Sequence, residues 1–142
     1  MTRLLAALAA TALTAIPMAA TAQSGDAAAG ERAFRGCQAC HVVVNDAGDT
    51  LAGRNAKTGP NLYQVSGRTA GSVDGFRYSG SMTEAGEAGL EWTEENFVAY
   101  VQDPTGFLQE YLDDGSARGS MSYKVRSEED AADLYAYLSS LE

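Results

Sequence analysis

Both cysteines and the only histidine of this 142-residue chain fall within one stretch, Cys37-Gln38-Ala39-Cys40-His41. Two thiols three residues apart stand on one side of a helical turn, where both reach the two vinyl groups of a single haem. The imidazole that follows is carried beneath the ring plane. There one nitrogen can take an axial position on the iron while the other donates to a carbonyl that fixes the ring. Other uses of the motif fit less well. A disulfide across so short a loop constrains little and does not ask for the histidine. Zinc needs a fourth ligand, and no second pair at ligand spacing supplies one. A thioredoxin-like pair follows a buried strand, whereas Ala- and Gly-rich helical sequence precedes this one.

The N-terminus agrees with attachment of haem outside the cytoplasm. Arg3 is a short basic region, Leu4 to Ile16 is an apolar run too short to span a bilayer comfortably, and Ala20-Thr21-Ala22 is an A-x-A cleavage signal. Residues 1–22 are thus expected to be a secretory signal peptide removed after Ala22, leaving a single periplasmic domain over residues 23–142. No later stretch is long and apolar enough to enter a membrane stably. The formal net charge is −9, and loss of Arg3 takes the exported chain to −10. A charge of that sign disfavours nucleic acid as a partner. Acidic residues crowd Glu84 to Glu95, Asp103 to Asp114 and Glu128 to Asp133, read as helix starts and solvated faces. Basic residues lie mostly near the haem motif or the loop around Met121, so the positive end of a molecular dipole can steer association.

Periodicity and capping predict an all-α chain of three to five helices joined by long loops around one covalently attached haem. Residues 26–40 read as a first helix with Asp26 at its N-cap, and Gly30 inside it suggests close crossing by another segment. Val42 to Val44 lacks a partner of similar pattern and reads as loop, while Asn61 to Val65 reads as a short helix. Glycines from Gly67 to Gly89 mark a long loop, which in a domain this small packs on something other than protein. Arg68, Tyr78 and Trp92 in that region are donors able to satisfy haem propionates. Thr93 caps a helix ending at Asp103, and Asp103-Pro104 starts a second with Phe107, Leu108, Tyr111 and Leu112 as its apolar stripe. Ser127 caps the last helix, where Ala131, Leu134, Leu138 and Leu141 recur at helical spacing.

With no second histidine, the iron's other face is left to a lysine, of which there are only Lys57 and Lys124, or to a thioether. The exported chain has two methionines, Met82 in the glycine-rich stretch and Met121 before the last helix, and spacing does not choose between them. Sulfur ligation favours reduced iron and raises the potential, as an electron carrier requires.

The chain resembles the class I c-type cytochromes, and most of all the bacterial cytochrome c2 branch. The resemblance runs through Gly25-Asp26, Gly30, Phe34, the haem motif, Lys57-Thr58-Gly59-Pro60-Asn61-Leu62-Tyr63, Gly67-Arg68, Tyr78, Trp92-Thr93-Glu94-Glu95, Tyr100, Pro104, Leu134, Tyr137 and Leu138. It implies thioether links at Cys37 and Cys40, axial ligation by His41 and Met121, and a Pro60 carbonyl on His41. It also implies that Arg68, Tyr78 and Trp92 surround the propionates, that Tyr100 lies near the Met121 sulfur, and that Met82 is an ordinary loop residue. The resemblance further implies that the first and last helices cross at Gly30, Phe34 and Tyr137. Two departures stand out: Gly119 occupies a position where the family usually carries threonine, and only Lys57 and Lys124 stand for a docking ring of lysines.

The expectation is a monomeric periplasmic carrier of single electrons, not an enzyme. Its partners would be a cytochrome bc1-type donor and an oxidase, reaction centre or reductase acceptor. The rival readings are a haem enzyme or gas sensor with an open coordination position, and a non-haem binding module.

Overall fold

Gly30 decides how the two ends of the chain meet. In the computed structural model, which describes residues 23–142, helix α1 (Ala27–Ala33) crosses helix α5 (Glu128–Ser139) at this glycine. A Cβ added there would stand 1.9 Å from the Asp133 carbonyl oxygen and 2.7 Å from the Tyr137 Cβ, so only hydrogen lets the backbones approach this far. One turn later Phe34 packs on Tyr137 with ring centroids 5.7 Å apart. The leader and its cleavage after Ala22 lie outside the described residues.

Helix α1 is shorter than its sequence pattern predicts. Asp26 caps it, Oδ1 accepting from the Ala28 and Ala29 amides at 2.8 and 3.0 Å, but Phe34–Gly36 tightens into a 3-10 turn and residues 37–40 form hydrogen-bonded turns. The tighter winding delivers the two cysteines and His41 to the interior. The Asp26 amide donates at 2.7 Å to Asp133 Oδ1 on α5, and Asp133 is 8% exposed. Asp133 thus departs from the reading of Glu128 to Asp133 as a helix start and solvated face, while Glu128, Glu129 and Asp130 do form the first turn of α5. A carboxylate accepting a main-chain amide stabilises burial that would be costly for an unpaired charge. Asp133→Ala strands that amide and is expected to cost about 1–3 kcal/mol, read as a lower urea midpoint with unchanged slope.

Three more local expectations change. Val43–Val44 is a strand, β1, paired antiparallel with β2 (Thr50–Ala52) across a turn in which the Asp49 amide donates to Asn45 Oδ1 at 2.8 Å. Strands of two and three residues are too short to show alternation, which is why this hairpin reads as loop. Residues 61–65 form turns and extended chain, not a helix. The Asn61 carboxamide clamps Val44 instead, accepting from its amide at 3.0 Å and donating to its carbonyl at 2.7 Å. Within the glycine-rich stretch lies helix α2 (Gly80–Glu87), capped by Ser79 Oγ on the Met82 amide at 3.2 Å. Three glycines or serines in its eight residues hide it, because their propensity is low and packing must supply the stability.

The remaining helices follow their caps. Thr93 starts α3 (Glu94–Gln102), Asp103-Pro104 starts α4 (Pro104–Tyr111), and Ser127 Oγ accepts from the Asp130 amide at 3.1 Å to start α5. Helix α3 packs on α5 through Phe97 and Tyr135, 5.4 Å between centroids. The Tyr135 hydroxyl donates to the Trp92 carbonyl at 3.1 Å, tying α5 to the segment that enters α3. Among the described residues no helix is long and apolar enough to cross a membrane.

Candidate haem-binding site

Helices α2, α3 and α5 and the loops between them line a cavity of about 240 Å³, many times the room one water needs. Cys37, Cys40 and His41 form part of its wall, and both thiols are free. The turn holding them is closed by the Cys40 and His41 amides, which donate to the Cys37 carbonyl at 3.1 and 2.9 Å. Burial, helped by Cys40, pushes the Cys37 thiol up to about 11, so at neutral pH it is present as S–H.

His41 is held from two sides. Its Nδ1 lies 2.9 Å from the Pro60 carbonyl oxygen and donates to it, which leaves the Nε2 lone pair free. Burial lowers its pKa more than that carbonyl raises it, so the ring is neutral at pH 7. Its face lies against Gly59, where an added Cβ would stand 2.3 Å from His41 Cε1. The Gly59 amide donates to the Cys40 carbonyl at 2.7 Å, so Thr58-Gly59-Pro60 is laced directly to the cysteine turn.

The chain before α5 closes another part of the wall. Met121 is half-buried and borders the same cavity as His41. Its segment is stitched to the helices around it: the Arg118 amide donates to Ser81 Oγ at 3.0 Å and the Val125 amide to the Val101 carbonyl at 2.8 Å. At Gly119, where a threonine is expected from the resemblance, the amide donates to the hydroxyl of Thr105 on α4 at 3.2 Å. A hydroxyl therefore braces this loop from a neighbouring helix. Lys124 adds an exposed ion pair to Asp103 at 2.7 Å, a minor contribution in water.

All five supporting residues read from the sequence also border the cavity: Pro60, Arg68, Tyr78, Trp92 and Tyr100. The Arg68 guanidinium donates through Nη1 to the carbonyls of Asn61 and Tyr63 at 3.2 and 2.8 Å, which fixes its plane. The Tyr78 hydroxyl accepts from the Val73 amide at 3.2 Å, and its ring stands edge-on to Phe76 at 4.8 Å. Trp92 and Tyr100 are ring neighbours at 4.8 Å, and burial pushes the Tyr100 phenol up to about 12, keeping it a neutral donor. Met82 departs from its expected place. It is 6% exposed, sits on α2, and its side of the helix faces the cavity, so two thioethers and not one border the space. Phe97, Leu134 and Leu138 join the apolar wall; the helical spacing of Leu134 and Leu138 marks them as core, with nothing in the sequence to separate core from cofactor contact.

The residues present suit a flat apolar macrocycle bearing carboxylates. Two thiols stand ready for covalent links, a neutral imidazole offers a nitrogen, thioethers offer sulfur, and Arg68 and the tyrosines supply donors within an otherwise apolar lining. Zinc finds no comparable set, since no group of three His, Cys, Asp or Glu side chains gathers to hold a metal ion among the described residues.

No family model matches the chain. Individual proteins do. The chain is 69% identical over 118 residues to cytochrome c2 of Rhodovulum adriaticum, covering 83% of this chain and 94% of that one. To cytochrome c2 of Cereibacter sphaeroides it is 57% identical over 135 residues, covering 94% and 90%. The chain belongs to the cytochrome c2 family. The crystal structure of cytochrome c2 from Rhodobacter sphaeroides superposes with a TM-score of 0.81 at 57% identity, covering 82% of this chain and 96% of that chain. The fold is therefore the class I cytochrome c fold, with the small β1–β2 hairpin added to the expected helices and loops. As a member of the cytochrome c2 family, the protein is an electron-transfer protein and not an enzyme, carrying one covalent c-type haem and moving electrons between redox complexes. This membership gives no support to the haem enzyme and gas sensor readings, and the non-haem binding module is set aside.

Proposed function

We propose that Cys37 and Cys40 tether the haem, that His41 and Met121 hold its iron, and that residues 23–142 work as a monomeric periplasmic shuttle after cleavage behind Ala22. One observation carries this reading: Cys37, Cys40, His41 and Met121 all border one cavity, with His41 Nδ1 committed to the Pro60 carbonyl. When bound, the haem supplies a reversible one-electron change of iron valence. The chain's own contribution is to keep that change free of other chemistry. His41 and Met121 would be the protein's two donors to the iron, leaving no open position for a small molecule. Pro60 fixes the imidazole plane, and an apolar wall limits the solvent rearrangement that accompanies each electron. Arg68, Tyr78 and Trp92 would receive the propionates, and Tyr100 would offer a neutral hydroxyl toward the Met121 sulfur. Of the two thioethers, Met121 is preferred because the resemblance assigns it the distal position and because it lies in irregular chain, whereas Met82 is a buried helix residue serving the core.

The donor is a cytochrome bc1-type complex, and the acceptor is an oxidase, reaction centre or periplasmic reductase. Docking is weak and salt-sensitive, as turnover demands. The protein recovered from the periplasm is expected to have the intact mass of residues 23–142 plus one haem, with Gln23 at its N-terminus and the haem retained under denaturing conditions. Retention of residues 1–22, or haem released by denaturant, overturns the corresponding part of this reading.

A further inference from the structure

Met121 lies in a stretch of chain that the fold grips only at its two ends. Among the described residues, no main-chain group of residues 120–124 makes a hydrogen bond. Downstream, the Val125 amide donates to the Val101 carbonyl on α3 at 2.8 Å. Upstream, two consecutive amides are received by side-chain hydroxyls of two different helices. The Arg118 amide donates to Ser81 Oγ on α2 at 3.0 Å, and the Gly119 amide donates to Thr105 Oγ1 on α4 at 3.2 Å. The base of the loop is fixed separately: Ala117 is 2% exposed, and Gln109 Nε2 donates to the Gly115 and Ala117 carbonyls at 3.1 and 3.2 Å. The two hydroxyls therefore hold the last main-chain groups secured before Met121.

Neither Ser81 nor Thr105 borders the cavity, so any influence on its contents passes through the loop. A loop that carries a metal ligand has two arrangements, one with the ligand turned to the metal and one with the ligand displaced. In the displaced arrangement the Arg118 and Gly119 amides are free to bond water. In the closed one they depend on the two hydroxyls, and an amide left without its acceptor is costly. An interaction present in one state alone shifts the balance between the two by its full strength.

We propose that Ser81 and Thr105 are positioning residues for the distal ligand: their hydroxyls hold the Met121 loop closed on the cavity and set how readily a competing ligand displaces the thioether. Helices α2 and α4 supply the hydroxyls but neither assigned axial ligand, and through this contact they govern how completely the iron is reserved for electron transfer. The inference rests on the assignment of Met121 to the iron.

The test titrates imidazole into the ferric holoprotein and follows loss of the far-red thioether-to-ferric band. Thr105→Val keeps the branched shape of the side chain and removes the acceptor. Imidazole affinity is expected to rise roughly tenfold in Thr105→Val and by a similar factor in Ser81→Ala, and Thr105→Ser should restore the unaltered value. Asp133→Ala is the comparison, since it weakens the α1–α5 crossing without touching either hydroxyl. It should lower overall stability yet leave imidazole affinity within about twofold. Unchanged affinity in both Thr105→Val and Ser81→Ala, or an equal rise in Asp133→Ala, overturns the inference and leaves the ligand assignment standing. A far-red band that is missing from the unaltered protein, or that survives in Met121→Ala, overturns the ligand assignment first, and this inference with it.

Discussion

Met121→Ala abolishes the far-red thioether-to-ferric band, opens the iron to carbon monoxide, and lowers the reduction potential. These are the expected results if Met121 is the distal ligand. A thioether is a soft donor that stabilises ferrous iron, so removing it shifts the balance toward ferric. Axial ligands span about 0.8 V of haem potential, and loss of this one is expected to account for roughly 0.1–0.3 V of that. The comparison that gives the experiment its force is Met82→Ala. Met82 is buried on α2 and borders the same cavity, so its loss should lower stability by about 2–5 kcal/mol as a core truncation while the far-red band survives. If the band survives in Met121→Ala and disappears in Met82→Ala, the distal ligand is reassigned. If carbon monoxide binds the unaltered protein rapidly, the closed coordination shell is wrong.

Gly30→Val should cost about 3 kcal/mol or more and lower Tm by on the order of 10 °C. The added Cβ alone would meet the Asp133 carbonyl oxygen at 1.9 Å and its carbon at 2.5 Å. Both are backbone atoms in the middle of α5, so no side-chain rotation relieves the overlap, and the helices must move apart. Separation loosens Phe34 from Tyr137 and withdraws Leu134 and Leu138 from the cavity wall, so a weaker grip on the haem accompanies lower stability. Against a typical total of about 5–15 kcal/mol, a loss of this size is large. Gly80→Ala is the control, because open space surrounds that position at the start of α2 and alanine favours a helix. Thermal melts of the two variants followed by far-ultraviolet circular dichroism check the contrast; equal melting temperatures would remove the steric argument.

Both variants act where distant segments meet, and there the reading from sequence was weakest. Glycine's cost inside a helix is what marks Gly30 as a crossing point; that its neighbour is the Asp133 carbonyl follows from the packing of α5. Asp133 itself looked like one more acid on a charged helix face. Its burial depends on the Asp26 amide, a residue 107 positions away in the chain. The β1–β2 hairpin and α2 were missed for a related reason, since each is too short or too poor in propensity to form without the surfaces around it. Met82 was placed in a loop and turned out to be part of a helix, which puts a second thioether beside the cavity.

What the sequence by itself determined is local chemistry: the spacing of Cys37, Cys40 and His41, the caps at Asp26, Thr93 and Ser127, and the proline that opens α4. Each of these acts within about one helical turn, over distances at which chain neighbours are neighbours in space. Tertiary structure alone decided which side chains from six separate segments share one cavity, which thioethers reach it, and which carboxylate is buried. Those outcomes depend on closing long loops against a common core, and the free energy that closes them belongs to the packed whole and to no stretch of residues within it.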